Sequence, residues 1–414
     1  MGCSRVKAIE ETPCVRRNSF GRIQTMNLLL IGNYTPDRQR SMLQYEQLLV
    51  EAAEGLGWQV ECWHPTVRYG SKVNTLSGLG KLAGYFDKYV LTPLTFRRRW
   101  ARLTASEQQP DFVHIVDHSN APYAPYFQGV PVLVTCHDLI AVRRARGEFA
   151  PACPRSRITA RWQQHWILNA LKRVPCPGFV SQASKNDFIR LTGREEPAAG
   201  WPILFPASAQ PLEVVPTDVA AARLSAAALK IRPPFIHHHG GATWYKNREA
   251  VIDVFLKCRI QMPKLSLVLS GGKLSSPQQA RLEQSDALEA VVDCGAVTTE
   301  VLSALYSTAS VFLFPSWYEG FGWPPVEAQA CGCPVVASNA GSLAEVLDDS
   351  AALFEPGDIE GMSEAVMGLI QNSQQSRALI EKGFKNAERF TFEQLQSDYK
   401  TWGLAACGPL ATTK

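Results

Sequence analysis

The sequence predicts an α/β protein built from two doubly wound, Rossmann-like parallel sheets facing a central cleft. Three observations carry this. Short apolar runs of strand length alternate with longer runs of helical period. The alternation breaks at a stretch rich in proline and alanine and then restarts. At 414 residues and 46% hydrophobic content, the chain exceeds what one ordinary domain core encloses. Ligands of such sheets sit at the carboxyl ends of the strands, so the cleft is the expected site.

NLLLIG (27–32) reads as a buried strand. SMLQYEQLLVEAAEGLG (41–57) follows, with Met42, Tyr45, Leu48, Leu49 and Ala52 on one helical face and glycine at its end. WQVECW, FVHIV (112–116), VPVLVTC (130–136) and GFVSQ (178–182) continue the first sheet, the last leading into the helix-like SKNDFIRL. The boundary is expected between Pro206 and Pro234. Beyond it FIHHHGG, LSLVLSGG (265–272), VFLFP (311–315), PVVAS (334–338) and AALFE (351–355) read as strands, with helices from about Arg248, Glu300, Pro324, Leu343 and Ile359. The expected division is a first domain over 26–205, a linker over 206–233, a second domain over 234–388 and a terminal helix over 389–405.

Composition narrows the function classes. Forty-two basic against 38 acidic side chains give a net charge of +4, and no recognition motif accompanies it, so nucleic acid is not an expected partner. Eleven cysteines, an odd number scattered through a large chain, read as reduced thiols; Cys331 and Cys333 read as small core residues. No apolar run approaches the roughly 20 residues that span a bilayer. Residues 1–25 lack the apolar centre of a secretory signal and read as a disordered extension or a misassigned start. Their Met-Gly-Cys opening has Val6 where a myristoylation pattern wants Ser or Thr.

The stretch SWYEGFGWPPVEAQACG (316–332) holds more special residues than a strand-to-helix connection needs. Glu319 lies in the loop leaving a strand. Gly320 and Gly322 let backbone approach a ligand, and Pro324 or Pro325 suits a first helical turn. The free amides at that helix start favour phosphate oxygens, and two carboxylates beside them, Glu319 and Glu327, suit sugar hydroxyls. The plainer reading makes Glu327 a helix cap and Glu319 a solvated loop residue.

This segment, with the continuation CPVVASNAGSLAEVLDDSAALFEPGD, resembles the E-x7-E region of retaining glycosyltransferases of family 4, which have the GT-B fold; the resemblance runs from about Met26 to about Trp402. It implies that Glu319 contacts donor-sugar hydroxyls, that Glu327 holds the nucleotide ribose, and that the amides of Gly320, Phe321 and Gly322 contact sugar or phosphate. It also makes 234–388 the donor domain, 26–205 the acceptor side, and the terminal helix one that crosses back to the first domain.

Other pieces converge on the same chemistry. In GGATWYKNRE (240–249), Gly240 and Gly241 at a strand exit with Lys246 at a helix start suit a diphosphate, and the resemblance gives Lys246 the donor phosphates. Gly241 stands where the family often has arginine, and Arg248 is the candidate to compensate. The triple histidine 237–239 alternates faces on a strand, which argues against one shared metal ion, and the family needs none. His137 and Asp138 leave a strand, and the resemblance puts the histidine near the reaction centre. Gly32, Asp117 and His118 are expected on the acceptor side.

A basic stretch over 77–102 carries Lys81, Lys88, Arg97, Arg98, Arg99 and Arg102, with Leu79, Leu82, Phe86, Tyr89 and Val90 on one helical face. A helix packed on the core is the preferred reading. Peripheral contact with the inner face of a membrane is the second, in an otherwise cytoplasmic protein.

The implied activity is retaining glycosyl transfer from a nucleotide sugar to a hydroxyl acceptor, in cell-surface polysaccharide or glycoconjugate synthesis. It would use neither metal nor cofactor, since the nucleotide sugar is a co-substrate. Rival readings are a nucleotide-sugar epimerase of the same fold, which needs no acceptor, and a nucleotide-sugar-binding protein without catalysis, which would bind donor but not turn it over.

Overall fold

The computed structural model describes residues 16–17, 23–72, 78–106, 109–208, 212–231 and 233–408. Most of the 1–25 extension, with Cys3 and Cys14, lies outside the described residues, as does the side chain of Leu79. The first sheet contains β1 (Asn27–Ile31), β2 (Gln59–Trp63), β3 (Phe112–Ile115), β4 (Val132–Cys136) and β5 (Cys176–Phe179), in the order β2-β1-β3-β4-β5. Leu29 of β1 pairs in parallel with Glu61 on one side and Val113 on the other. Every residue of β3 and β4 is buried, as befits a parallel sheet covered on both faces.

The accompanying helices are α1 (Arg40–Gly55), α2 (Gly78–Phe86), α3 (Thr92–Thr104), α4 (Ile140–Arg146), α5 (Ile158–Leu171) and α6 (Gln182–Thr192). Helix α1 buries Tyr45, Leu48, Leu49 and Ala52, four of the five residues its period picks out.

The second sheet holds β6 (Phe235–Gly240), β7 (Ser266–Gly271), β8 (Val291–Gly295), β9 (Val311–Phe314), β10 (Val335–Ser338) and β11 (Ala352–Phe354). Its order is β8-β7-β6-β9-β10-β11, with every pairing parallel. Helices α7 (Thr217–Ala226), α8 (Arg248–Gln261), α9 (Ser276–Gln284), α10 (Thr299–Thr308), α11 (Trp323–Ala330), α12 (Leu343–Leu347), α13 (Ile359–Gln371) and α14 (Ser373–Ala387) accompany it. Ile236, Leu267, Leu313 and Val336 pack one sheet face against Val251, Phe255 and Val366.

Strand order reverses twice: between β1 and β3 in one sheet, and between β6 and β9 in the other. At each reversal, loops leave neighbouring strands in opposite directions and open a crevice at their carboxyl ends. Gly32 and Asp117 follow the first pair, and Gly240 and Glu319 follow loops of the second.

The chain divides into two compact units elsewhere than at 205 and 234. One holds 1–135, 170–178 and 395–414, and the other 136–169 and 179–394. Hydrogen bonds draw the additional segments into the second unit. Glu345 accepts the N–H groups of Gln182 and Ala183 at 3.0 and 2.8 Å, and the Ser184 hydroxyl donates to the His137 carbonyl at 2.7 Å.

The helical run over 78–104, which passes through a π-helical turn at Asp87–Leu91, corrects the expected apolar face. Leu82, Phe86 and Val90 are exposed, while Asp87, Thr92, Phe96 and Trp100 are buried. Asp87 decides the orientation. Its carboxylate accepts the amides of Arg68, Tyr69 and Gly70 and the Tyr34 hydroxyl at 2.7 Å. Burial alone would raise its pKa, but these donors hold it below the ordinary value. Such a group turns inward and takes its neighbouring helix face with it.

Cys62, Cys153, Cys258, Cys294, Cys331 and Cys333 are free thiols. Cys331 and Cys333 are buried, and burial pushes the Cys331 thiol up to about 12 and Cys333 higher still. No helix among the described residues is long and apolar enough to cross a membrane.

The C-terminal helix α15 (Phe392–Cys407) completes the first unit. The Tyr399 hydroxyl lies 2.8 Å from His114 Nδ1, and the ring lies 5.5 Å from that of Trp58. Trp402 rests where a Cβ on Gly178 would come within 2.7 Å, and a Cβ on Gly403 would meet Trp58 at the same distance. Replacing Trp402 with alanine is expected to destabilise the first unit by about 3–5 kcal/mol. Thermal unfolding of the variant checks this, and an unchanged midpoint would contradict it.

Candidate functional site

The loop 315–322 joins β9 to α11. Gly322 is the helix N-cap at φ 94°, and a Cβ there would meet Leu343 at 2.6 Å, so glycine is required twice over. Two prolines in the first turn, Pro324 and Pro325, start the helix at no cost in hydrogen bonds. Gly320 is pressed against another segment: a Cβ would stand 2.2 Å from the His137 carbonyl oxygen and 2.9 Å from Asp138 Cβ. The step after β4 and the step after β9, far apart in sequence, are thus in backbone contact. Ser184 ties both, since its hydroxyl also lies 3.4 Å from the Gly320 carbonyl.

The chain around Glu319 is braced from two further sides. Ser342 donates its N–H to the Glu319 carbonyl at 3.1 Å and its hydroxyl to the Phe321 carbonyl at 2.8 Å, and Gly341 packs where any Cβ would strike Glu319 backbone at 2.5 Å. From the loop after β6, the Tyr245 carbonyl accepts from Trp317 N–H at 2.7 Å, and the Asn247 side-chain amide donates to the Pro315 carbonyl at 2.9 Å.

These braces bring Lys246 Nζ to 2.9 and 3.1 Å from the two Glu319 carboxylate oxygens. Glu319 is buried and Lys246 largely so, with side chains 8% and 12% exposed. The ammonium also faces the Phe314 ring at 4.8 Å. Burial pulls the lysine pKa down, but the charges of Glu319 and Asp138 outweigh it, and the net direction is up. The lysine therefore stays charged and has one N–H beyond the two directed at Glu319.

Glu327 lies on α11, half-buried, with Tyr306 donating its hydroxyl at 3.2 Å. Burial pushes its carboxyl up to about 7, against the weaker pull of Tyr306 and Lys246. His137 is buried. Asp138 caps the turn that follows, accepting from Ile140 N–H at 3.0 Å. Gly240 leaves room for an ordinary contact with the Lys246 stem, and Gly241 has open space around its Cβ position.

Arg248 is tied to backbone. Its terminal nitrogens donate to the carbonyls of Gly240 at 2.8 Å and Lys273 at 3.1 Å, so it clamps the exits of β6 and β7 instead of standing free beside Gly241. Buried at 5% exposure, it has its pKa lowered by that burial. The three histidines of β6 hold the sheet. His237 and His239 share the Ser270 hydroxyl at 2.9 and 2.8 Å, and His238 bonds the Leu313 carbonyl at 2.9 Å. Burial lowers His238 to about 3 and His239 to about 4, so they remain neutral.

In the first unit, Asp117 is buried and accepts from Ser119 N–H at 2.7 Å and from the Asn33 amide at 2.8 Å. His118 lies 3.4 Å from the same carboxylate. A Cβ on Gly32 would meet the Glu46 carboxylate at 2.3 Å, and Glu46 is bonded in turn to His64 at 2.5 Å.

Sequence reasoning missed Asn33, Glu46, His64, Ser184, Ser342 and the pair Gly271–Gly272. A Cβ on Gly271 would stand 2.6 Å from the Gly240 carbonyl oxygen, and one on Gly272 2.8 Å from Ala242 N. The double glycine ending LSLVLSGG, matching the one ending FIHHHGG on the neighbouring strand, was the available signal.

With this geometry in hand, comparison with known proteins adds a family. Residues 225–386 match the model of the family described as glycosyl transferases group 1. Over 99 residues, 24% of this chain and 26% of the relative, the sequence is 38% identical to the O-antigen chain mannosyltransferase B of Escherichia coli; the match thus spans about a quarter of that protein. It is 26% identical to the MMP alpha-(1->4)-mannosyltransferase of Mycolicibacterium hassiacum over 78% of each chain. Among solved structures, the sucrose-phosphate synthase of Thermosynechococcus elongatus is similar in fold, with a TM-score of 0.68 at 19% identity over 91% of this chain and 98% of that one. Anabaena Alr3699/HepE, solved in complex with UDP-glucose, has a TM-score of 0.64 at 16% identity over 91% and 98%. The fold is GT-B.

Two glycines distinguish crowding from open space. Gly320→Ala is expected to lower the thermal midpoint by displacing the His137 segment, whereas Gly241→Ala leaves it within error. Equal midpoints for the two variants would contradict the packing described. The Glu327 carboxyl holds its proton up to about 7 when folded but only to its ordinary 4.5 when unfolded, so its stabilising contribution is complete below 4.5 and is lost as pH rises towards 7. Glu327→Gln is expected to flatten that part of the pH–stability curve, read by denaturant titrations from pH 4.5 to 8.

Proposed function

We propose that the chain is a group 1 glycosyl transferase, as the match of residues 225–386 supports, and that it moves a hexosyl group from a nucleotide sugar to a hydroxyl acceptor with retention at the anomeric carbon, in polysaccharide or glycoconjugate synthesis. The observation that carries this reading is the buried Lys246–Glu319 pair between two strand exits, beside the amide-bearing start of α11. A diphosphate needs cationic and N–H donors, and a sugar needs acceptors that also fix orientation; this pair offers both.

In this reading residues 234–388 hold the donor and 26–205 serve the acceptor. Lys246 and the amides of Gly320, Phe321 and Gly322 take the diphosphate, with Gly240 and Gly241 admitting it closely and Arg248 keeping their loop in place. Glu319 orients the sugar hydroxyls and Glu327 the ribose. The bond from the anomeric carbon to the phosphate oxygen breaks with its electron pair going to the diphosphate, and charge develops on sugar and leaving group together. The acceptor oxygen attacks from the same face, and its proton passes to the departing phosphate. His137 lies beside this face. Gly32, Asp117, His118 and Asp138 shape the acceptor side. No step requires a metal ion or a cofactor.

The same reading puts the protein in the cytoplasm, with peripheral contact at the inner membrane face through Leu82, Phe86, Val90 and Leu94, all exposed beside Lys81, Arg97 and Arg98.

Lys246→Ala and Glu319→Ala are each expected to lower turnover by on the order of 10²–10³-fold, with the fold retained by circular dichroism. Release of nucleoside diphosphate from a panel of nucleotide sugars, with acceptors present, measures it. Near-normal rates in either variant would overturn the assignment. Donor affinity should rise as pH increases through about 7, because only the ionised Glu327 carboxylate accepts two ribose hydrogen bonds. Calorimetric titration at pH 6 and 8 checks this, and Glu327→Gln should abolish the difference.

A further inference from the structure

Away from the donor-side loops, the second unit carries a cavity of about 430 Å³ between α4 and α5. Val142, Ala145 and Leu168 form its buried floor. Arg146, Arg155 and Arg161 stand around it with Trp162. Arg155 is held in place by donating its Nε–H to the Ala145 carbonyl at 2.8 Å. Arg146 and Arg161 pair with no carboxylate among the described residues.

The surface beside this cavity is unusual in two respects. Helix α5 turns Ile158 and Trp162 outward on one face, 65% and 73% exposed. Between residues 140 and 169, six arginines accompany a single acid, Glu148, which is already paired with Arg143 and Arg190. The chain as a whole carries only +4, so this charge is concentrated here.

A small soluble anion would satisfy the arginines and leave the indole and Ile158 in water. An apolar protein surface would cover the indole and strand the guanidinium groups without counter-charge, at a desolvation cost. An anionic lipid supplies both at once: a phosphate for bidentate guanidinium contacts, and an apolar layer at the depth where tryptophan settles. We propose that this pocket seats the phosphate headgroup of an anionic membrane lipid, with Ile158 and Trp162 dipping into the boundary between headgroups and acyl chains. The inference extends the membrane contact proposed for the 78–104 run to a separate surface, and it stands independently of the transfer reaction.

Flotation of the full chain with vesicles tests it. Binding is expected to phosphatidylcholine vesicles containing phosphatidylglycerol and not to phosphatidylcholine alone. Arg146→Glu/Arg161→Glu is expected to weaken binding by about tenfold or more, given roughly 1 kcal/mol per basic residue near the surface, and Trp162→Ser is expected to weaken it by removing the interfacial indole. Unchanged thermal midpoints, expected for exposed side chains, show that the variants fold. Leu82→Ser/Phe86→Ser separates the two surfaces. If it alone abolishes binding while the Arg146/Arg161 and Trp162 variants bind as the parent does, this inference fails and the earlier contact survives. If the parent binds neither vesicle, both fail. Stabilisation by inorganic phosphate that depends on Arg161, without vesicle binding, would assign the pocket to a soluble anion and overturn the lipid.

Discussion

A buried contact between one ammonium and one carboxylate, Lys246 with Glu319, is what the second unit is arranged to hold. Charges taken out of water are costly unless geometry and neighbouring hydrogen bonds compensate, and such a pair is seldom kept for stability alone. Here the compensation comes from backbone. The Tyr245 carbonyl, the Asn247 amide and Ser342 fix the two loops, so the charges meet without either loop being regular secondary structure. An environment that keeps lysine charged while burying it is prepared for anionic oxygens, because the reorganisation a phosphate would demand has been completed during folding.

The position follows from topology. Strands β6 and β9 are neighbours whose onward connections depart in opposite directions, so the loops after them are not covered by a crossover. Into that gap the chain places residues without side chains. Gly240, Gly271 and Gly272 allow adjacent strand exits to touch, and Gly320 and Gly341 allow three chain segments to pass against Glu319. Arg248 closes the arrangement from below by bonding carbonyls of two strands. Close backbone approach, more than any single side chain, makes the site, and it explains why glycines cluster at these exits.

Much of this was legible in the sequence. Buried parallel strands are continuous apolar runs, and helix α1 shows its period openly, so most elements of both sheets could be read with small errors at their ends. Strand β8 and helix α9 escaped: VVDCG is an edge strand, half-buried, whose aspartate and cysteine break the apolar run, and α9 buries only Leu282. The segment 316–332 was legible because glycine, proline and acid coincide there. The carbonyls that hold Arg248 gave no signal, because sequence shows the charge of a side chain but not what surrounds it. The apolar face of the 78–104 run was misjudged because a single buried acid, Asp87, outweighs a stripe of leucine and phenylalanine when three amides and a hydroxyl await it. Glu46 and His64, eighteen residues apart, give no local signal of the contact they make beside Gly32.

The central claim is that Lys246 and the glycine-bounded amides beside Glu319 receive a diphosphate. Crystals grown with a nucleoside diphosphate sugar test it most directly. A phosphate oxygen about 3 Å from Lys246 Nζ, with a second near the amides of Phe321 and Gly322 and the sugar hydroxyls on Glu319, is the outcome the account predicts. A donor bound away from these loops, with the Lys246–Glu319 contact untouched, would contradict it.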